Sequence, residues 1–345
     1  MKIILDAMGG DHAPEAPVLG AIQAANDFGA QITLVGRGEA ILEAMHSNGI
    51  DTLPDGVEIA NADDVIDMHD DPAKVIRQKP NSSMVTGLKM LADGQGDAFI
   101  SAGSTGALLT GATLLVKRIK GVRRAAMGPV MPNKAGGKTV ILDCGANAEC
   151  TAEFLLQFAF IGSLFAKKNL GIENPRIGLL NIGTEDTKGT PLQKQAYALL
   201  TQAHEKGLLN FVGNVEARGV PMGEVDVVVC DGFSGNVLLK SIEGTASFMG
   251  SLLSKMFKKN LLSKLAAVLV MKDIKAFKKL LDYREIGGTQ FLGIKKPVIK
   301  AHGSSDVLAF RNAVHQAMKA AENDISAELE QGLQELKVLE EAADD

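Results

Sequence analysis

At 345 residues the chain is long enough for two domains or one large one. Its 36 Lys and Arg against 41 Asp and Glu leave a net charge of −5, which excludes a strongly basic nucleic-acid binder. Its 46% hydrophobic content excludes an intrinsically disordered chain, and its 37 glycines lack the Gly-X-Y period of collagen.

In chain order, short aliphatic runs at 2–6, 31–35, 97–101, 138–143, 176–182, 209–212 and 226–230 predict buried strands. Most lack polar alternation, as suits parallel strands covered on both faces. Residues 16–28, 82–94 and 191–206 predict helices between them. Alternating strand and helix predicts an α/β fold with a mostly parallel sheet. No repeat or long linker divides the chain, so it reads as one α/β unit over 1–345. No apolar run approaches the roughly 20 residues that span a bilayer, and Asp6 stops the first one too early for a secretory signal. The nearest candidate, 154–166, is interrupted by Gln157, Gly162 and Ser163 and reads as a core or subunit-interface helix. Cys144, Cys150 and Cys230 show no CxxC spacing, and the six histidines no paired spacing. A reduced, cytoplasmic setting without a metal site is expected.

Five predicted strands run into Gly-rich polar turns. They carry Gly9, Gly10, Asp11 and His12; Gly103, Ser104, Thr105 and Gly106; Gly145 and Asn147; Gly183, Thr184 and Lys188; and Gly232, Ser234, Gly235 and Asn236. Glycine lets backbone approach an anion, and a following helix N-terminus offers free N–H donors. One such turn is an ordinary βα connection with an N-cap. Five on one sheet edge predict a polar, phosphate-type site at the carboxyl ends of parallel strands. The dinucleotide pattern GxGxxG is missing after the first strand, and 183–190 places Lys188 before Gly189, the reverse of a P-loop.

Residues 255–279 hold eight lysines against Asp273, within a basic amphipathic segment at 245–282. Apolar positions recur at helical spacing at Phe248, Leu252, Met256, Leu261, Leu265, Val268, Leu269, Ile274, Phe277 and Leu281, with breaks at Asn260 and 271–273. This predicts a projecting helical pair. Its lysines form a solvated face, an anionic-lipid contact or a dock for an acidic protein. The candidate contacts are Lys258, Lys259, Leu261, Leu262, Lys264, Leu265, Val268 and Leu269. By contrast, 322–345 carries nine acids against Lys337 and predicts a solvated terminal helix with a frayed tail.

The segments DAMGGDHAP (6–14), KPNSSM (79–84), SAGSTGALL (101–109), LDCGAN (142–147), GLLNIGTEDTKG (178–189), FVGNVEAR (211–218), DGFSGNVLLK (231–240) and IKAHGSSD (299–306) closely resemble the PlsX family of acyl-acyl-carrier-protein:phosphate acyltransferases. The resemblance runs in order to about residue 320. It implies a Rossmann-like three-layer α/β/α fold, similar to isocitrate and isopropylmalate dehydrogenases and to phosphotransacetylases. It also implies a cofactor-free, metal-free homodimer, peripherally membrane-associated. Such an enzyme moves a fatty acyl group from acyl carrier protein to inorganic phosphate. The acyl phosphate feeds glycerol-3-phosphate acylation in phospholipid synthesis, by a membrane acyltransferase that is itself a partner. The catalytic pair carried over is Lys188 and Asn236. Ser104 departs from the SAGNTG common in the family, which changes the reach of that hydrogen-bonding group.

Phosphate can attack a thioester without an enzyme nucleophile. Lys188 is expected to neutralise and align it, and Asn236 to donate to phosphate or to the oxyanion, with loop N–H groups completing the cradle. Asp6, Asp143 and Asp231 end strands and read as loop organisers rather than a magnesium triad. His302 reads as ordering a loop, and an acyl-enzyme on Cys144 is a rival route. The other functions in play are a soluble phosphotransacetylase using acyl-coenzyme A and a non-catalytic phosphate- or acyl-binding regulator.

Overall fold

The computed structural model describes residues 1–274 and 282–341. Its first sheet runs, from edge to edge, β3 (Val57–Asn61), β2 (Gln31–Gly36), β1 (Lys2–Asp6), β4 (Ala98–Ser101), β12 (Val298–Ala301), β11 (Gly288–Leu292) and β5 (Ala126–Gly128). The first five strands are mutually parallel, and β11 is antiparallel to both neighbours. A second sheet runs β6 (Val130–Pro132), β7 (Lys138–Leu142), β10 (Val227–Val229), β8 (Ile177–Asn181) and β9 (Phe211–Glu216), parallel except for β6.

The expectation that all five Gly-rich loops share one sheet edge is corrected here. Two follow strands of the first sheet and three follow strands of the second. The division falls at Pro129, which separates β5 from β6 by one residue. A proline has no N–H to give a ladder, so the chain changes sheets there. The sheets are still joined side by side: Cys144 N–H donates to the Met127 carbonyl at 3.0 Å and Ile141 N–H to that of Pro129 at 3.1 Å.

Most of the apolar runs that predicted strands are buried on both faces; the exceptions are Ile182, exposed just past β8, and Val212, exposed in the edge strand β9. In the first sheet Ile3, Leu5, Ile32, Leu34 and Ile100 face helices α1 (Glu15–Phe28) and α10 (Val307–Glu322). The alternate residues Ile4, Val35 and Phe99 face α4 (Ser83–Ala92) and α5 (Thr105–Gly111), as the two-residue period of a strand requires. In the second sheet Val140, Leu142, Ile177, Leu179, Val227 and Val229 meet α6 (Ala152–Leu170) and α7 (Pro191–Glu205). The 154–166 run therefore forms the middle of a core helix. The opposite face, with Ile141, Val215 and Val228, is a thinner layer closed by Leu238 at the start of α8 (Gly232–Lys258).

Helix α8 has 27 residues, and its buried residues are Gly232, Gly235 and Leu238, all in its first two turns. At about 1.5 Å per residue it is about 40 Å long, so most of it leaves the body. Asn260 then caps α9 (Leu261–Leu269), its Oδ1 accepting Ser263 N–H at 2.8 Å, and no residue of α9 is buried. The projecting pair and its break at Asn260 form as the sequence predicts. The second break falls at the Val270 turn, just before the predicted 271–273. Lys275, Phe277, Lys278, Lys279 and Leu281 of that segment lie outside the described residues, as does 342–345 of the tail. The tail reading needs correction. Helix α11 (Ser326–Glu341) is not merely solvated: Leu329, Leu333 and Leu336 insert into the α6 core at helical spacing. Glu328 of the same helix lies 2.7 Å from Lys168 of α6.

Candidate functional site

Strands β1, β4 and β12 are consecutive neighbours in the first sheet, so the loops that leave them meet. Asp6 is fully buried at the end of β1, and burial pushes its carboxyl up from the ordinary carboxylate range. It accepts Ser101 Oγ–H at 2.7 Å and Met8 N–H at 3.1 Å, and Ser101 Oγ in turn accepts Gly103 N–H at 3.0 Å. A Cβ at Gly9 would lie 2.8 Å from both Asp6 Oδ2 and Gly103 N, and Gly10 has φ +104°, so only glycine fits this contact. Asp11 N–H donates to the Gly303 carbonyl at 2.8 Å, binding the first loop to the one after β12. His12 is exposed and, with Glu15, Ala16, Asp306 and Val307, lines a shallow pocket beside this cluster. Ser104 caps α5, accepting Ala107 N–H through Oγ, so Thr105 and Gly106 open that helix.

In the second sheet β7, β10 and β8 are likewise adjacent and parallel, and their carboxyl ends carry the other three loops. Asp143 is the hub. Its Oδ1 accepts Met127 N–H at 2.8 Å and Ala146 N–H at 3.3 Å, and its Oδ2 accepts Asn147 N–H at 2.6 Å and Asn147 Nδ2–H at 3.0 Å. Burial pushes this carboxyl up, and the hydrogen bonds oppose that. Asn147 Nδ2 also donates to Ala125 O at 2.8 Å, so its amide is engaged in holding the loop. Asp231 caps α8 by accepting Ser234 N–H and Oγ–H, each at 2.8 Å, which engages Ser234 too. Gly232 N–H donates to Asn147 O at 2.7 Å. Gly235 packs so tightly that a Cβ there would overlap the Asp143 carbonyl oxygen and sit 2.8 Å from Cys230 Sγ. These contacts present Asn236, exposed, on the first turn of α8, its Cγ 3.8 Å from the point where a Gly145 Cβ would stand. Lys188 is exposed on the loop after β8. That loop is braced by Asn181 Nδ2, which donates to Lys188 O at 3.1 Å, and by Asn214 Nδ2, which donates to Glu185 O at 2.8 Å. Gly183 backs onto the Lys188 stem, and Thr184 is exposed beside it.

Charged groups of α8 reach both clusters. Lys240 and Glu243, paired at 2.7 Å, act electrostatically on His302 of the first cluster and on Cys144 of the second. His302 Nδ1 accepts Ser304 N–H at 3.3 Å, which orders its loop, and burial followed by Lys240 and Lys300 holds its pKa below the ordinary histidine value. Asp6, Asp143 and Asp231 each spend their oxygens on loop N–H and O–H donors, the organising role expected of them. Burial pushes the Cys144 thiol far up, and Cys150 to about 12. Neither is primed as a nucleophile.

The lysine-rich contacts do not join this site. Lys258 is 22 residues along α8 from Asn236, about 33 Å at 1.5 Å per residue. Lys258, Lys259 and Lys264, with Leu261, Leu262, Leu265, Val268 and Leu269, gather at the far tip, where Leu261 is 83% and Leu269 82% exposed. No helix among the described residues is long and apolar enough to cross a membrane. Sequence reasoning missed Lys300, whose ammonium lies beneath the first cluster. The only signal was a lysine inside the otherwise apolar run VIKA.

A sequence model of a family described as fatty acid synthesis protein matches residues 1–328. The phosphate acyltransferase of Alkaliphilus oremlandii is 46% identical over 336 residues, 97% of this chain and 98% of that protein. The phosphate acyltransferase of Brevibacillus brevis is 45% identical over 335 residues, again 97% and 98%. Among solved structures, a phosphotransacetylase from Streptococcus pyogenes is similar with a TM-score of 0.62 at 18% identity, covering 93% of this chain and 94% of that one. A 4-hydroxythreonine-4-phosphate dehydrogenase from Klebsiella pneumoniae follows with 0.53 at 12% identity, covering 93% and 99%. At these identities the likeness is one of fold, and it is the phosphotransacetylase- and dehydrogenase-like fold that the sequence led us to expect.

Proposed function

The chain belongs to the fatty acid synthesis protein family, and from that footing we propose that it transfers a fatty acyl group from an acyl-carrier-protein thioester to inorganic phosphate. Phosphate acyltransfer is the activity named for relatives that match nearly the whole chain. The structural observation that carries the reading is the side-by-side order of β7, β10 and β8. It supports a site in which the Lys188 loop lies next to the N-terminus of α8, with Asn236 on its first turn.

Chemically, a phosphate oxygen adds to the acyl carbon, an oxyanion forms, and the C–S bond breaks. The thiolate leaves with the electron pair and takes a proton from solvent. Lys188 offsets phosphate charge and aligns the attack. Asn236 donates a hydrogen bond to phosphate or oxyanion, and the free N–H groups at the start of α8 add their dipole. Around them Gly145, Gly183, Thr184 and Gly232 let backbone approach the anion, while the first cluster supplies the opposing wall. The acidic carrier or an anionic membrane surface meets the tip of α8 and α9, where Lys258, Lys259 and Lys264 stand among exposed leucines. On this reading the protein is a cytoplasmic homodimer that works at the membrane periphery and hands acyl phosphate to a glycerol-3-phosphate acyltransferase.

Purified protein, long-chain acyl carrier protein and phosphate are expected to yield acyl phosphate, detected by mass spectrometry, with acyl-coenzyme A assayed in parallel. Lys188→Ala and Asn236→Ala are each expected to slow turnover by about 10²–10³. Folded variants with wild-type rates would reject the assignment. Preference for acyl-coenzyme A would instead favour a phosphotransacetylase, and no turnover with either donor a binding protein.

A further inference from the structure

Lys300 has no part in the reaction as described so far. It lies in β12 in register with Ser101 of β4. Its ammonium reaches the carboxyl edge, where Nζ donates to Ala102 O at 3.2 Å and to Ala301 O. Those two carbonyls begin the loops that lead to Gly103 and His302. The third loop is bound to them through Asp11 N–H and Gly303 O. The strand residues around Lys300, Val298, Ile299 and Ala301, are fully buried. Lys300 itself is half-buried, so its ammonium gives up part of the hydration that a solvated lysine keeps.

We propose that Lys300 is the positioning residue of the phosphate pocket: its ammonium ties the loops after β4 and β12 beneath the Asp11 loop, and its charge draws the tetrahedral anion to that floor. This rests on the reading of the site as a phosphate acceptor. Its surroundings give it a titration that a surface lysine lacks. Burial lowers its pKa to about 8, while Asp11 and Asp6 pull the other way. The other charged and titratable groups around this edge are His302 at the end of the same strand, the Lys240–Glu243 pair of α8, which acts on His302, and, beside the cluster, His12, Glu15 and the Asp306–Arg284 ion pair. Below pH 8 the floor carries a cation, and above it the cation is lost. A bound anion favours the protonated form, so phosphate binding takes up a proton on the alkaline side.

The test is calorimetric binding of inorganic phosphate to the full chain, without acyl donor, from about pH 6.5 to 9.5. Sulfate serves as a second probe because its charge is constant over that range. Wild-type affinity for both anions is expected to fall about tenfold between pH 7.5 and 9.5. Lys300→Arg, which keeps its charge, is expected to abolish the fall. Lys300→Met is expected to bind about tenfold more weakly at pH 7 and to show no pH dependence from this group. A flat wild-type profile, an arginine variant that keeps the fall, or a folded methionine variant that binds like wild type overturns the proposal. The wild-type profile decides even if a variant does not fold. Since no donor is present, a protein that behaves this way but makes no acyl phosphate refutes acyl transfer alone.

Discussion

Replacing Gly235 with alanine tests whether the packing of α8 against Asp143 sets the position of Asn236. The added methyl would overlap the Asp143 carbonyl oxygen and lie 2.8 Å from Cys230 Sγ and 3.0 Å from the Asp143 carbonyl carbon. Ordinary contact begins near 3.4 Å, and backbone and a buried thiol form the wall, so the helix start must retreat by about 1 Å. Overpacking of this kind costs about 1–3 kcal/mol of stability. Asn236 is the next residue and moves with the backbone. A displacement of about 1 Å at a group that positions a reacting atom costs about 10²-fold in rate. The same helix supplies the control: Gly244 has open space where a Cβ would stand. Gly244→Ala is expected to leave the rate unchanged and to stabilise the helix by about 0.5–1 kcal/mol. Initial rates of acyl phosphate formation and thermal melts of both variants make the comparison. If Gly235→Ala is folded and as fast as wild type, the inference that this contact holds the carboxamide in place is wrong.

Three further outcomes are expected. Leu333→Ala, at the α11–α6 contact, is expected to cost about 2–5 kcal/mol in denaturant unfolding, whereas a tail that merely lay in solvent would lose almost nothing. Burial pushes the Asp226 carboxyl up, but the hydrogen bonds of Arg176 to its Oδ1 and Oδ2, at 3.0 and 3.1 Å, outweigh it and leave the pKa lowered. The stabilisation is therefore complete above the unfolded carboxylate pKa, about 3.9, and lost as pH falls through the lower folded value. The Tm gap between wild type and Arg176→Met is expected to hold steady from about pH 5 to 7 and to narrow below about pH 4; a gap independent of pH would count against this pair. Finally, Leu261→Glu with Leu265→Glu at the tip of α9 is expected to abolish co-sedimentation with anionic vesicles while sparing turnover of a dissolved donor. Vesicle binding that survives both changes would sink the lipid-facing role.

Much of this was readable in the sequence because the signal was local. Runs such as VVV at 227–229 and KIILD at 2–6 carry enough β-branched and aliphatic residues to name a buried strand by themselves. The Asn260 break was legible because an N-cap acts within three residues. The strands β5 and β6 were not legible, since three residues hold no period, and with them went the division into two sheets. Leu329, Leu333 and Leu336 repeat at helical spacing, but the acids around them dominated the composition of the tail. Among the site residues, the glycine turns announce themselves, whereas Lys300 acquires its meaning only from Ala102, 198 positions away, which β4–β12 pairing brings alongside. The engagement of Asn147 and Ser234 by Asp143 and Asp231 was hidden for the same reason: sequence shows which donors exist, not which acceptor claims them.

The order β1-β4-β12-β11 has a consequence for a growing polypeptide. The inner neighbour of β4 is encoded roughly 200 residues after it, at Val298–Ala301. A ribosome adding about 5–20 residues each second exposes the bare flank of β4 for about 10–40 s before its mate emerges. An unpaired edge with Phe99 and Ile100 in it is a template for pairing with a stranger. Slower translation lengthens that window, so aggregation of nascent chains should rise as synthesis slows, even though the finished molecule leaves no such edge at that place.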